Sequence, residues 1–166
     1  MREFCVAIGG STLANQAVTL AFLNPASAPN PNIEFLRFWI GQSANPTSAQ
    51  QRMQVVTQVS SYPTLAGFTP AKLKRSDPNA SVLTSNTSGP MGSAGINATA
   101  ENGGTKSIIV EDTFNVVNGG LWVPGPDERI IVPANVSATG AGLGLHLPVA
   151  PATLTNWAWG TNFREV

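Results

Sequence analysis

The sequence predicts an all-β fold, an antiparallel β-sandwich or jelly-roll-like domain of roughly eight to ten short strands with little helix. Apolar residues recur in short runs, many of which alternate with polar residues, and helical periodicity is almost absent. Gly, Pro and Asn separate the runs, as in chains with many tight turns. A length of 166 residues suits one domain, so residues 1–166 are predicted to form a single sandwich.

Three apolar runs in the first 40 residues are predicted as strands. Residues 2–8 alternate loosely and end at a pair of glycines, and residues 17–23 end at an Asn-Pro step. Residues 33–40 carry apolar side chains on both faces of a strand, which is typical of a central position in a sheet.

Residues 51–60 alternate most regularly and are predicted as a half-buried strand. A helical turn beginning near Ser48 is the competing interpretation, since Ser is a good N-cap and residues 49–53 favour helix. The β-branched residues at 55–57 limit such a helix to about one turn. In the strand interpretation, the polar face carries Arg52, Gln54, Gln58 and Ser60.

The region around residues 61–105 has a weaker pattern, rich in Pro, Gly and Asn, with apolar residues only in short groups. A long irregular excursion or several short edge strands would fit this composition. Such Pro-rich, extended segments are also suited to act as arms that become ordered on contact with a partner.

Regular alternation returns at residues 105–117, which end at the tight-turn signal Asn118-Gly119-Gly120. Two short strands are predicted beyond it, at residues 121–123 and 128–132. Residues 143–147 alternate again, with His146 opposite three leucines. Residues 153–163 are predicted to form a core strand whose large side chains share one face: Trp157, Trp159 and Phe163.

The charge composition disfavours several classes of partner. Charged residues make up only 11% of the chain, and nine basic residues balance nine acidic ones. We therefore expect no binding to nucleic acid or to an anionic membrane. The N-terminal sequence is a poor signal peptide, and no run is long and apolar enough for a membrane span, which predicts folding in a cytoplasm.

Candidates for catalysis and metal binding are scarce. His146 is the single histidine and Cys5 the single cysteine, and neither has the sequence context of a catalytic residue. The simplest interpretation of the acidic pairs Glu111-Asp112 and Asp127-Glu128 is that they lie in solvated turns or at strand ends. We therefore predict no catalytic, cofactor or metal site and no small-molecule substrate. A hydrolase built on an unusual pair of carboxylates is a further hypothesis, since spacing alone does not reveal spatial neighbours.

Aromatic residues beside turns are the candidates for a protein interface, and we name Tyr62, Phe68 and Trp122. The four tryptophans support an alternative function, a carbohydrate- or receptor-binding module in which aromatic faces form a sugar platform. Packing in the core or in an interface is the more common role of tryptophans in strands.

In its overall character the chain resembles small β-rich head proteins of tailed bacteriophages, of the capsid decoration or cement type. The segments that carry this resemblance are FLRFW at 35–39, WVPGPDERI at 122–130 and WAWGTNFR at 157–164. The resemblance implies a non-enzymatic virion protein, made in the host cytoplasm, that stabilises a shell. It implies two kinds of partner. One is further copies of the same chain, often in a trimer, and the other is a major capsid protein. Repeated weak contacts in a symmetric shell give high avidity without a charged patch.

Overall fold

The computed structural model describes residues 2–14, 18–44, 47–134 and 141–166. In these residues thirteen strands and one short 3₁₀ turn form two sheets that pack face to face, so the predicted antiparallel sandwich is confirmed. Eight strands have six or more residues and the other five have two to four. These five short strands explain why the total exceeds the eight to ten strands that the sequence predicts. The strands are β1 (Arg2–Ser11), β2 (Val18–Asn24), β3 (Ile33–Gln42), β4 (Gln50–Val59), β5 (Thr64–Gly67), β6 (Ala71–Lys72), β7 (Thr84–Ser85), β8 (Ser93–Ala100), β9 (Thr105–Asn115), β10 (Gly120–Trp122), β11 (Ile130–Val132), β12 (Gly142–Leu147) and β13 (Trp157–Glu165).

Sheet A has the strand order β10-β3-β13-β1-β6, and β11 pairs with β3 on the same side as β10. All of these pairs are antiparallel. Strand β13 lies between β1 and β3 and pairs with both along its length. Sheet A is therefore built around the strand that comes last in the described sequence.

Sheet B has the strand order β5-β8-β2-β12-β4-β9. The two-residue strand β7 pairs parallel to β8, and the other pairs are antiparallel. Strand β9 forms one edge and pairs only with β4 among the described strands. Its register shifts between Val55 and Val56, where β9 has one residue more than β4.

The core lies between the sheets and is rich in aromatic side chains. Trp157, Trp159 and Phe163 of β13 are fully buried, on the single face that the alternation predicts. Phe4 of β1 packs against Phe163, and Phe114 of β9 meets the Trp157 ring edge-on. Because every second residue of β13 points into this layer, the opposite residues form part of the outer face of sheet A.

The polar face predicted for the fourth strand is only partly solvated, because Arg52 and Ser60 are exposed whereas Gln54 and Gln58 are not. The strand itself is present as β4, and the helical alternative is wrong because residues 47–49 are not helical. Gln54 is only 6% exposed and Gln58 is completely buried, although both point away from the core. Segments from elsewhere in the chain cover part of this outer face, as described below.

Residues 61–105 contain three short strands at sheet edges, β5, β6 and β7, and one longer strand, β8, inside sheet B. Irregular segments in this region are held by buried polar contacts. The Glu165 carboxylate, at the end of β13, accepts hydrogen bonds from the Ser81 hydroxyl at 2.6 Å and the Val82 amide at 2.8 Å. It also pairs with Arg2 at 2.7 Å.

The predicted turn at Asn118-Gly119-Gly120 is present, and Gly119 has a positive φ of 72° that favours glycine. The turn does not close a hairpin between its neighbours. Strand β9 belongs to sheet B and β10 to sheet A, so this turn carries the chain from one sheet to the other. The two short strands predicted beyond it, β10 and β11, both lie beside β3.

Candidate interaction surfaces

The three aromatic residues predicted at an interface all pack against other parts of this chain. The Tyr62 ring lies 5.5 Å from the Phe22 ring, and Phe68 is a half-buried residue packed on the core. Trp122 stacks on Phe38 with ring centres 5.6 Å apart and also contacts Phe35. A role for these residues in an interface stays a prediction, and other residues are more exposed.

Most of the exposed large apolar side chains lie on or beside strands β9, β10 and β11, at the edges of the two sheets. Strands β9 and β10 contact each other there, since Gly120 of β10 lies against the Phe114 side chain, and β11 follows β10 along β3. Leu121 and Val123 are the most prominent, with 64% and 60% of their surface exposed, followed by Ile108 and Ile131 with 56% each. Of nine such residues in the described part of the chain, six lie on or beside these strands, and we call them the apolar edge: Ile108, Ile109, Val117, Leu121, Val123 and Ile131.

Sequence reasoning missed the apolar edge because its strands are short and their pairing is not visible in the pattern. Ile130, Ile131 and Val132 form one continuous apolar run, which does not say which residue faces outward. The pairing of β11 with β3 shows which of these residues faces outward. Ile131 lies opposite Glu34 on the outer face, whereas Ile130 and Val132 lie opposite the buried Phe35 and Ile33.

The opposite side of the sandwich is polar. An open depression of about 470 Å³ lies there, lined by Arg2, Lys74, Ser76, Asp77, Pro78 and Asn79. Lys72 is bound to the same loop, because its ammonium donates to the Asp77 carbonyl at 2.9 Å. Lys72 and Lys74 therefore meet backbone carbonyls and the Glu3 carboxylate, and Arg2 is already paired with Glu165.

A row of alternating charges crosses the outer face of sheet A. Arg164 of β13 lies between Glu3 of β1, at 3.1 Å, and Glu34 of β3, at 3.5 Å. Arg129 reaches Glu34 from the other side at 3.0 Å, and Lys74 approaches Glu3 at 4.0 Å. Both carboxylates are thus held by cations, an arrangement that stabilises the sheet and leaves them poorly suited to act as an acid–base pair.

His146 lies on the outer face of sheet B in a buried polar cluster. It faces away from the core leucines, as predicted, but is only 5% exposed. Its Nδ1 is 3.4 Å from the Thr19 hydroxyl, which donates to the Glu101 carboxylate at 2.9 Å. Glu101 also accepts from the Thr19 amide and from the Lys106 ammonium.

Burial lowers the pKa of His146 to about 4, and the Lys106 charge acts in the same direction, while Glu101 partly opposes both. The imidazole is therefore neutral at neutral pH. Glu101 joins the β8–β9 connection to the start of β2, so the cluster has a structural role that its hydrogen bonds account for.

Cys5 and His146 lie on opposite outer faces of the sandwich. Cys5 is opposite Asn162 on the outer face of sheet A, and His146 is on the outer face of sheet B. A nucleophilic pair between them is thereby excluded. Burial raises the pKa of the Cys5 thiol, and the nearby Arg37 only partly offsets this effect, which disfavours the reactive thiolate.

Within the described ranges, no three side chains of the His, Cys, Asp and Glu types come together in a group that could hold a metal ion. Glu111 pairs with Arg52 at 3.1 Å, and Asp127 and Glu128 lie exposed in the 3₁₀ turn Pro126–Glu128. The described part of the chain also contains no helix that is long and apolar enough to cross a membrane.

Comparison with known proteins returns nothing similar: no protein-family model, no curated protein and no solved structure matches this chain. The function must therefore be argued from the surfaces described above.

Proposed function

We propose that this chain is a non-enzymatic structural protein of a virion, a decoration or cement protein that binds copies of itself and a major capsid protein. The observation that carries the proposal is the apolar edge. Exposed apolar surface that gathers on one side of a soluble domain commonly marks a protein interface. Burial of such side chains would stabilise an assembly by about 25 cal/mol per Å² of apolar surface removed from water.

The charged residues support the same proposal. Glu3, Glu34, Glu101, Glu111 and Glu165 each pair with a cation of the same chain, so more than half of the nine acidic residues are used in this way. With no net charge and most ionic groups paired internally, attraction to a partner has to come mainly from shape and apolar contact. Contacts of this kind suit a shell, where symmetry repeats each of them many times.

The strand arrangement suggests how copies could meet. Edge strands offer unpaired backbone groups to a neighbouring chain, but β10 and β11 have only three residues each, and β9 carries a bulge. These features oppose continuous strand pairing between copies. We therefore propose side-chain packing at the apolar edge, rather than an extended intermolecular sheet.

The apolar edge can be tested by light scattering after size-exclusion chromatography. We expect a closed homo-oligomer, and the double variant Ile108→Ser with Leu121→Ser should weaken its association by about tenfold or more. The matched control is Leu73→Ser with Val149→Ser, which removes two exposed apolar groups elsewhere, 42% and 54% exposed. A monomer at all concentrations, or equal effects in both variants, would argue against assembly through this edge.

Binding to a shell needs a second experiment, because self-association alone does not define a virion protein. Co-expression with the major capsid protein that this proposal makes its partner should give particles that carry the chain. The particles should survive heating better with the chain than without it. Particles that form but retain none of the chain would contradict the proposed place in a virion.

A further inference from the structure

Trp39 is the one tryptophan whose ring lies on the outside of the sandwich. Trp157 and Trp159 are fully buried in the core, and Trp122 packs against Phe35 and Phe38. Trp39 lies opposite the exposed Leu121 on one side and opposite Gly160 on the other, and both neighbours face outward. Its ring is half-buried because one side rests on the sheet.

Gly160 allows the indole to lie flat on sheet A. A Cβ atom at this position would come within 2.2 Å of the Trp39 ring, so any other residue would push the ring away from the sheet. Ala7 of β1 lies opposite Gly160, and Ala158 occupies the same face two residues before it. Small residues therefore surround the ring and form a flat floor beside it.

Arg37 provides a positive charge next to this ring. Its guanidinium carbon is 5.4 Å from the centre of the Trp39 ring. The side-chain amide of Asn162 is oriented so that its oxygen accepts hydrogen bonds from Arg37, from Nε at 2.9 Å and from Nη2 at 3.1 Å. Asn162 is only 5% exposed, so it fixes the guanidinium against the sheet.

No carboxylate lies within 4.0 Å of Arg37 in the part of the chain that the structure describes. Of the other arginines, Arg2, Arg52, Arg129 and Arg164 have such a partner, whereas Arg75, in the loop after β6, has none among the described residues. An exposed guanidinium held in place without an anion favours binding of an external carboxylate, which can accept two parallel hydrogen bonds.

We propose that Trp39, Arg37 and the floor around Gly160 bind a saccharide that carries a carboxylate, such as a uronic or sialic acid unit. The apolar face of the sugar ring packs on the floor formed by Ala7 and Ala158, with the Trp39 indole beside it. The carboxylate binds Arg37. Because the surface is open and flat, binding is weak, with a Kd on the order of 1 mM for one unit.

Saturation-transfer NMR with trigalacturonate and with N-acetylneuraminyl-lactose tests the site, and cellotriose serves as the neutral comparison. We expect at least one of the two acidic probes to bind, and to bind about tenfold more tightly than cellotriose. Trp39→Ala should weaken its binding by about tenfold or more, and Arg37→Gln should remove the preference for the acidic probe.

Gly160→Ala is the informative third variant, because it keeps both Trp39 and Arg37 but displaces the ring. It should weaken binding as Trp39→Ala does, with the fold checked by circular dichroism. Trp122→Phe is the matched control for a tryptophan on the core side, and Ile108→Ser separates this site from assembly at the apolar edge; both should bind normally.

If neither acidic probe binds, or if binding survives Trp39→Ala, the proposal is wrong. Loss of self-association instead of saccharide binding in Trp39→Ala would assign the surface to a protein contact and also overturn it.

Discussion

The two outer faces of the sandwich differ in what covers them. On sheet B, the Phe22 ring is fully buried although it points away from the core, because Gly142 and Gly144 leave room beneath it and Tyr62 packs on it. On sheet A, charged side chains and Trp39 lie over small residues, and the described residues form no further layer there. Sheet B therefore has a second, smaller packed layer that the described part of sheet A lacks.

This difference shows that a polar residue in an alternating strand does not by itself identify a solvent-exposed face. Gln54, Gln58 and His146 all look like surface residues in the sequence, and all three are buried. Gln58 contacts Ser61 and Gly104, and His146 lies beside Glu101. The same pattern on sheet A, with Arg37 and Arg164, marks a face that stays accessible.

The largest expected effect is on the covered face. Phe22→Ala removes a fully buried ring from the outer layer of sheet B and should lower the free energy of unfolding by about 3–5 kcal/mol. Urea denaturation followed by far-UV circular dichroism measures this loss. A loss below about 1 kcal/mol would mean that the outer layer contributes little and that the two faces are energetically alike.

His146 should make stability depend on pH, because its pKa is about 4 in the folded chain and 6.5 in its ordinary state. The unfolded chain binds the proton first, so stability is lost as pH falls from about 6.5 towards 4, by on the order of 3 kcal/mol. His146→Gln should remove the part of this dependence between about pH 5 and 6.5, where carboxylates titrate little. Denaturation midpoints measured across this window provide the test, and an unchanged slope in the variant would contradict the assignment.

Gly142→Ala should cost about 1–3 kcal/mol, because the new Cβ would come within 2.2 Å of the Phe22 ring. Gly9→Ala on sheet A is the matched control, since nothing lies within 4 Å of a Cβ built there. It should change stability by no more than about 1 kcal/mol. Equal losses for both variants would show that the tight packing beneath Phe22 is not responsible.

The smallest effect is expected for the charge row on the open face. Glu3→Gln weakens the contact with Arg164 and should cost about 1 kcal/mol or less, because water still reaches both side chains, which are 22% and 17% exposed. The cost should shrink further in about 1 M NaCl, where the Debye length is only about 3 Å. A large loss that is insensitive to salt would show that water does not screen this row of charges and would contradict the prediction.

Local patterns predicted the strands whose two faces differ in size. The alternation of Trp157, Trp159 and Phe163 with small residues gave the correct core face of β13, and the leucines of β12 gave the orientation of His146. These predictions succeed because side-chain direction in a strand follows from its period of two. They need no knowledge of distant parts of the chain.

Features that depend on distant segments could not be predicted in this way. The sequence gives no sign that β8 is an inner strand, since its residues Ser93–Ala100 are small and only weakly alternating. Likewise, Tyr62 resembles a surface aromatic until Phe22, forty positions earlier, is placed beneath it. The floor around Trp39 also needs the pairing of β3 with β13, which brings Gly160 under a ring more than a hundred residues away.

The central position of β13 constrains the order of events during synthesis. β1 and β3 are made early, yet they have no direct contact in the sheet and are joined only when residues 157–165 arrive between them. A nascent chain that lacks these residues exposes two apolar strand edges and has no completed core. Folding of this sandwich is therefore expected to finish only after β13 leaves the ribosome, and chaperones would have to protect the unfinished sheet until then.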